Sequence, residues 1–197
     1  MKNYMITITR QFGSLGRPIA REMSEILKIE YYDRDIVERT SRELNLSVPV
    51  ISNTEETANT FFNMKYPLGQ GTTQIQDQIY QTQKNIILSL VEKESCIIVG
   101  RCADSILAGR KNCLHIYIYA PYEARLDNCI NALHMSPDTA KKMIRDVDKA
   151  RCAYHKCYAG FAPDDVNHKD ILLNSALLGQ KSSAEVLADL VRRKFGS

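Results

Sequence analysis

Between Arg10 and Pro18 the chain reads RQFGSLGRP. Two glycines, a serine and two arginines within nine residues suit one chemistry above others, the holding of phosphate. Gly13 and Gly16 permit a tight turn and a close backbone approach. Backbone amides and the positive end of a following helix can then gather round an anion without any particular side chain. The usual phosphate loop reads Gly, four residues, Gly, Lys, then Ser or Thr. Here the lysine and its following hydroxyl are missing. In the register that keeps Gly13–Ser14 in place, Arg10, Leu15, Gly16 and Pro18 fall on the patterned positions. The stretch is therefore either a working phosphate site built another way or an ordinary strand-to-helix turn. The other arginines decide between them. Arg10, Arg17, Arg34, Arg39 and Arg101 all fall near the expected carboxyl ends of strands, where open parallel sheets bind ligands. Arginine is also the side chain for forked contacts to phosphate. The sequence predicts a working site made with arginine.

The elements that must carry these residues are legible as alternating strands and helices. Apolar runs at Tyr4–Thr9, Ile29–Asp33, Cys96–Gly100, Cys113–Ala120 and Asp170–Asn174 read as about five strands. Ile19, Met23, Ile26 and Leu27 share one helical face after the loop, with Pro18 suited to its first turn. Helical patterns recur at Asp35–Leu44, over Ile75, Ile79, Ile86 and Leu90, and over Leu126, Cys129, Ile130 and Leu133. Ser136–Pro137 opens a further helix, and Ser182 or Ser183 is expected to cap the last one. Such alternation predicts an α/β domain with a parallel sheet and helices on both faces. From Ser47 to Thr73 the pattern degrades into polar residues punctuated by Pro67, Gly69 and Gly71, read as a flexible lobe or loop.

Bulk properties narrow the function classes. The chain has 197 residues, 44% hydrophobic and 25% charged, with a net charge of +3. That balance gives no electrostatic case for nucleic acid or a membrane surface. No apolar run approaches the roughly 20 residues of a spanning helix, and no leader peptide is read at the start. Six cysteines without CxxC spacing read as free thiols in a cytoplasmic protein. The four histidines have no triad spacing to a nucleophile.

At this point the sequence resembles the cytidylate kinase-like family of P-loop nucleoside monophosphate kinases. ITITRQFGSLGRPIA is similar to that family's variant loop, in which arginine-x-x-Gly-Ser-x-Gly-Arg replaces the ordinary pattern. YYDRDIVER resembles the segment from an aspartate to a phosphate-binding arginine and matches Asp33 and Arg39. IIVGRCADSIL resembles the Gly-Arg-Asp segment and matches Gly100 and Arg101, with Cys102 in place of the aspartate. IYIYAPYEARLD resembles the fourth strand and its Glu-x-Arg helix and matches Arg125. IRDVDKAR resembles the lid helix and matches Asp148 and Arg151, with Arg145 and Asp146 one residue off its spacing.

The resemblance implies one P-loop NTPase-type domain over 1–197, with a helical acceptor-side region at about 34–95 and a lid at about 136–165. It implies ATP and Mg²⁺, nucleotide substrates, and transfer to a nucleoside monophosphate, CMP or dCMP first. Arg10, Gly13, Ser14, Leu15, Gly16 and Arg17 would hold the ATP phosphates. Arg17 either supplies the missing lysine's charge or is a surface residue of the helix. Ser14 either faces the metal or satisfies the turn. Asp33, Arg39, Arg101 and Asp104 would bind the acceptor, Asp104 standing in for the lost aspartate; Arg101 could instead bridge to Asp33 or Asp104. Arg17, Arg145 and Arg151 would act on the transferred group, the last two from the lid. Segments 53–73 and 150–164 are expected to be mobile covers. Two rivals stay open, a binding protein without transfer and a kinase for a non-nucleotide acceptor. Oligomeric state is not legible.

Overall fold

A computed structural model describes residues 3–56 and 71–196. In chain order its elements are β1 (Met5–Arg10), α1 (Gly16–Leu27), β2 (Glu30–Tyr32), α2 (Arg34–Leu44), α3 (Val48–Glu56) and α4 (Gly71–Val91). Then come β3 (Cys96–Val99), α5 (Ala103–Ile106), β4 (Cys113–Tyr119), α6 (Tyr122–Asp127), α7 (Pro137–Ala159), β5 (Ile171–Asn174) and α8 (Ser175–Phe195). A π turn, Asn128–Ala132, extends α6.

The strands form one parallel sheet in the order β2-β3-β1-β4-β5. Its central strand is buried at every position, because helices cover both faces. Ile6, Ile8, Ile97, Val99, Leu114, Ile116 and Ile118 pack against Ile19 and Met23 of α1 and Leu187 and Val191 of α8. The alternate positions Met5, Cys96, Ile98 and Cys113 face Ile36, Ile86, Ile87, Leu90 and Leu107. The period of two along each strand thus sorts side chains into two apolar layers. All parallel strands end at one edge, so the residues following β1, β2, β3 and β4 meet there.

Two local expectations change. Ser47–Thr73 is not one irregular stretch, since α3 occupies Val48–Glu56 and α4 begins at Gly71; residues 57–70 lie outside the described ones. The last helix opens at Ser175, capped by the Asn174 side chain accepting from the Ala176 amide at 3.1 Å. Gly179 breaks its geometry at φ 72°, and the apolar stripe resumes only beyond it, which is why a start near Ser182 looked plausible. Within 150–164, Arg151–Ala159 continues α7. Ser136 does cap α7, accepting from the Thr139 amide at 3.3 Å. All six cysteines are free thiols, and burial pushes those of Cys96 and Cys113 up to about 12.

Candidate functional site

The loop between β1 and α1 is held from outside by its carbonyls. The Phe12 carbonyl accepts from Arg125 Nη1 at 3.3 Å, the Gly13 carbonyl from Asn128 Nδ2 at 2.9 Å, and the Ser14 carbonyl from Ser175 Oγ at 2.7 Å. Three consecutive carbonyls are thus drawn outward by α6, its π turn and α8. In a trans peptide the amide of the next residue points the opposite way, and no peptide here is cis. The amides of Gly13, Ser14 and Leu15 therefore turn toward the open side. Leu15, at φ 61°, is the N-cap of α1 without a side-chain cap, and the first turn holds no acidic residue. The helix end is left to attract an anion. Gly13 has φ +76°, and a Cβ there would come within 2.8 Å of the Arg125 carbonyl and 2.9 Å of Cys129 Sγ. Asp148 of α7 completes the clamp, accepting from the Phe12 amide at 2.7 Å and pairing with Arg125.

The start of α1 also revises the loop's register. Gly16 opens the helix and Arg17 follows it, so Gly16–Arg17 stands where a phosphate loop has glycine–lysine, with Pro18 in place of the hydroxyl. A pocket of about 130 Å³ lies over this run, walled by residues 10–18, Asn128, Leu133 and Arg151.

Behind the loop, guanidinium groups converge on one carboxylate. Asp33, in the turn after β2, pairs with Arg17 Nε at 2.6 Å and lies 3.8 Å from Arg101 Nη2. Burial alone would raise its carboxyl, but the charges of Arg10, Arg17 and Arg101 outweigh that and hold it below the usual range. Arg10 is 8% exposed. Burial and the neighbouring Arg151, Arg17 and Arg101 bring its guanidinium down to about 9, against the pull of Asp33. It remains a cation at neutral pH; it shares Asp33 with Arg17 and Arg101, and Arg151 lies near it. Cations gathered at this edge suit an anionic ligand.

A second pocket, about 30 Å³, adjoins the first on the side of β3. Thr9, Arg10, Gly100, Arg101, Cys102, Arg151, Tyr154, His155 and Pro163 wall it. Arg101 comes here as expected, and its bridge is to Asp33 rather than Asp104.

Four expected site residues are placed differently. The Asp104 carboxylate is 3% exposed and accepts from His155 Nε2 at 2.9 Å and from buried Lys169 Nζ. Its hydrogen bond with His155 and the charge of Lys169 hold its carboxyl far down despite burial, so it locks α5 to α7 and the approach to β5 instead of offering an acceptor to a substrate. Arg145 is exposed and pairs with its neighbour Asp146 at 2.9 Å. It lies six residues before Arg151, about 240° round the helix, and only Arg151 faces the loop, 5.8 Å over the Phe12 ring. Ser14 is fully buried, its hydroxyl set toward the carbonyls of Gln11 at 2.9 Å and Ile118 at 3.0 Å. It serves the turn rather than a metal. Arg39 is half-buried on α2 and walls neither pocket.

The clamp of Arg125, Asn128 and Asp148 carries no local signal of its role, because its partners lie more than a hundred residues away in sequence. The Asp104–His155–Lys169 lock is equally silent, at separations of 51 and 65 residues.

The loop fits the phosphates of ATP, since outward carbonyls, a bare helix end and four guanidiniums all favour an anion there. A protein-held Mg²⁺ fits less well. Among the described residues no group of three His, Cys, Asp or Glu could hold a metal, and Ser14 and Pro18 offer it no hydroxyl. A wider groove of about 550 Å³ follows α1, where Arg21 pairs with Glu25 and Gln180 donates to the Glu22 carboxylate.

A five-stranded parallel sheet with a phosphate-type loop after its central strand is the fold of the P-loop kinases. The chain belongs to the cytidylate kinase-like family, whose sequence profile matches residues 5–177. No curated protein matches it. Among solved structures it is similar to an uncharacterised protein from Eubacterium ventriosum at 21% identity and a TM-score of 0.72, covering 96% of this chain and 98% of that one. It is also similar to shikimate kinase from Acinetobacter baumannii in complex with shikimate (13% identity, TM-score 0.57, 99% and 96% covered). A gluconokinase from Sinorhizobium meliloti gives 10% identity and a TM-score of 0.53, with 99% and 97% covered. At these identities the likeness is one of fold. No described helix is long and apolar enough to cross a membrane.

Proposed function

We propose that the protein transfers the γ-phosphoryl group of ATP to a nucleoside monophosphate, with CMP or dCMP as the first acceptor to test. The observation that carries this is the convergence of Arg10, Arg17 and Arg101 on Asp33, with Arg151 beside Arg10, next to an outward-held loop. Phosphoryl transfer asks a protein mainly for alignment and for neutralisation of charge. The amides of Gly13 to Leu15 and the start of α1 seat the donor phosphates. Arg17 stands in the lysine's position, half-exposed and oriented by Asp33. Arg101 faces the acceptor's phosphate from the end of β3. Arg151 reaches the site from α7 and helps exclude water. Mg²⁺ enters with ATP as part of the substrate.

A second reading, a kinase for a non-nucleotide acceptor, is favoured by Asp104 and Cys102. The Asp104 carboxylate is already engaged by His155 and Lys169, and a thiol lines the pocket where the family pattern has an aspartate. A cytosine amino group then finds no free carboxylate there among the described residues. A coupled ADP-release assay with CMP, dCMP, UMP and AMP, run beside hydroxylated carboxylic acids and sugars, separates the two. Turnover with any of the nucleotides supports the first reading. Turnover only with the second panel supports the other, and none at all leaves nucleotide binding without transfer.

A further inference from the structure

We propose that Arg10 is a catalytic residue, its guanidinium bearing on the phosphoryl group as it passes from donor to acceptor. The assignment rests on the kinase reading above and adds a group from the central strand to the site's chemistry.

The two pockets share two wall residues, Arg10 and Arg151. A group moving between the loop pocket and the β3-side pocket must pass what separates them. Both shared residues are guanidiniums, but they are held differently. Arg151 rides on α7 beside the Phe12 ring. Arg10 is fixed at its root by β1, which is hydrogen-bonded to a strand on each side.

Two glycines leave the space in which Arg10 lies. A Cβ on Gly16 would meet Arg10 Cβ at 2.7 Å and Cγ at 2.9 Å, and a Cβ on Gly100 would collide with Nη1. The side chain therefore runs from the loop glycine to the glycine ending β3, along the carboxyl edge of the sheet. Its Nε is buried and has no hydrogen-bond partner among the described residues. A packing role is poorly served by that arrangement. The stem could pack on Gly16 without a charged end, and an unmet buried donor is costly. A transferred phosphoryl group supplies the missing acceptors, since its equatorial oxygens carry the charge that grows in the transition state.

The step balances with no proton transferred to or from Arg10. The bond from the γ-phosphorus to the β–γ bridging oxygen breaks, and its electron pair leaves with ADP. A bond forms to an oxygen of the acceptor, directly for a phosphate dianion and with loss of the hydroxyl proton to water for an alcohol. Arg10 stays a cation throughout and only donates hydrogen bonds.

The test compares Arg10→Lys and Arg10→Ala with wild type, using ATP and whichever acceptor wild type turns over, together with calorimetric binding of ADP with and without aluminium fluoride. Arg10→Lys should keep ADP and ATP affinity within about threefold while kcat falls by about 10²–10³. The tightening of ADP binding by aluminium fluoride should vanish with it. Guanidinium ion, well below concentrations that unfold the protein, should raise the rate of Arg10→Ala saturably and leave Arg10→Lys unchanged. An active Arg10→Lys overturns the assignment, as does a rate loss matched by lost ATP affinity, or absent rescue in a folded Arg10→Ala. A wild type that transfers to no acceptor and binds ADP no tighter with aluminium fluoride overturns the kinase reading, and this assignment with it.

Discussion

At the residue scale the site is governed by Asp33, a carboxylate that faces Arg10, Arg17 and Arg101. Removing one member of a buried charge cluster costs about 3–5 kcal/mol; with Arg17 half-exposed, Asp33→Asn should fall at the lower end. Its folded carboxyl is held below the ordinary value, so its stabilisation is fully present above the unfolded value near pH 4 and is lost as pH falls through the lowered folded value. Urea midpoints of Asp33→Asn and wild type should therefore differ at pH 7 and converge in strong acid. At Arg10 the linkage has the same sign, but there the charged form is the costly one. Its guanidinium is brought down to about 9 in the free protein, so its buried charge costs stability below that pH and the cost eases as pH rises past it. A bound anion needs the cation. Pyrophosphate affinity should then be flat from pH 7 to about 8.5 and decline above 9, with proton uptake on binding. Calorimetry in buffers of different ionisation enthalpy reads both, and a flat profile to pH 10 counts against the placement of Arg10 at the anion.

At the scale of elements, α6 and α7 hold the loop in shape. Asp148 ties the Phe12 amide to Arg125, whose other contact is the Phe12 carbonyl. Asp148→Asn keeps the size of the side chain but removes the charge that organises Arg125. Misplacing the loop should raise KM for ATP on the order of tenfold with a smaller change in kcat, since donor seating is what it serves. Further along α7, His155 presents both ring nitrogens to oxygens, Asp104 on one side and the Phe161 carbonyl at 2.8 Å on the other. His155→Leu should cost about 1–3 kcal/mol, because Lys169 still pairs with Asp104 while the Phe161 carbonyl loses its partner. Hydrogen exchange at Arg151–Ala159 should quicken in the variant, and unchanged protection would argue that the lock does not hold the helix. These long-range ties mark the limit of what the sequence discloses. The five strands and the helical faces of Ile19/Met23 and Ile79/Ile86 are legible because burial on fixed periods leaves a local trace. Arg10, Arg17, Arg101 and Asp33 are legible as strand-end residues that a parallel sheet must bring to one edge. Asp104 misleads, since its true partners come from α7 and from Lys169. Arg145 misleads because its spacing to Arg151 places it on another side of the helix. The cap at Asn174 is masked by the kink at Gly179.

For the molecule as a whole, charge is distributed unevenly. Its net charge is only +3, yet Arg10, Arg17, Arg101 and Arg151 gather near Asp33 at the carboxyl edge of the sheet. Anion recognition is therefore local, and buried partners feel salt less than exposed ones. ADP affinity should fall only a few-fold between 50 and 500 mM potassium chloride, roughly as expected for partly shielded charges. A steep loss would indicate an exposed patch instead. The position of β1 has a different kind of consequence, one for synthesis. This central strand is made long before its partners, since Met5 pairs with Cys96 on one side and Cys113 on the other. While the chain is growing, Met5, Ile6 and Ile8 have neither neighbouring strand nor the α8 residues that later cover them. A ribosome-bound intermediate of this protein thus carries a naked apolar strand until Tyr119 has emerged, and its escape from aggregation depends on chaperones or on the speed of elongation across that interval.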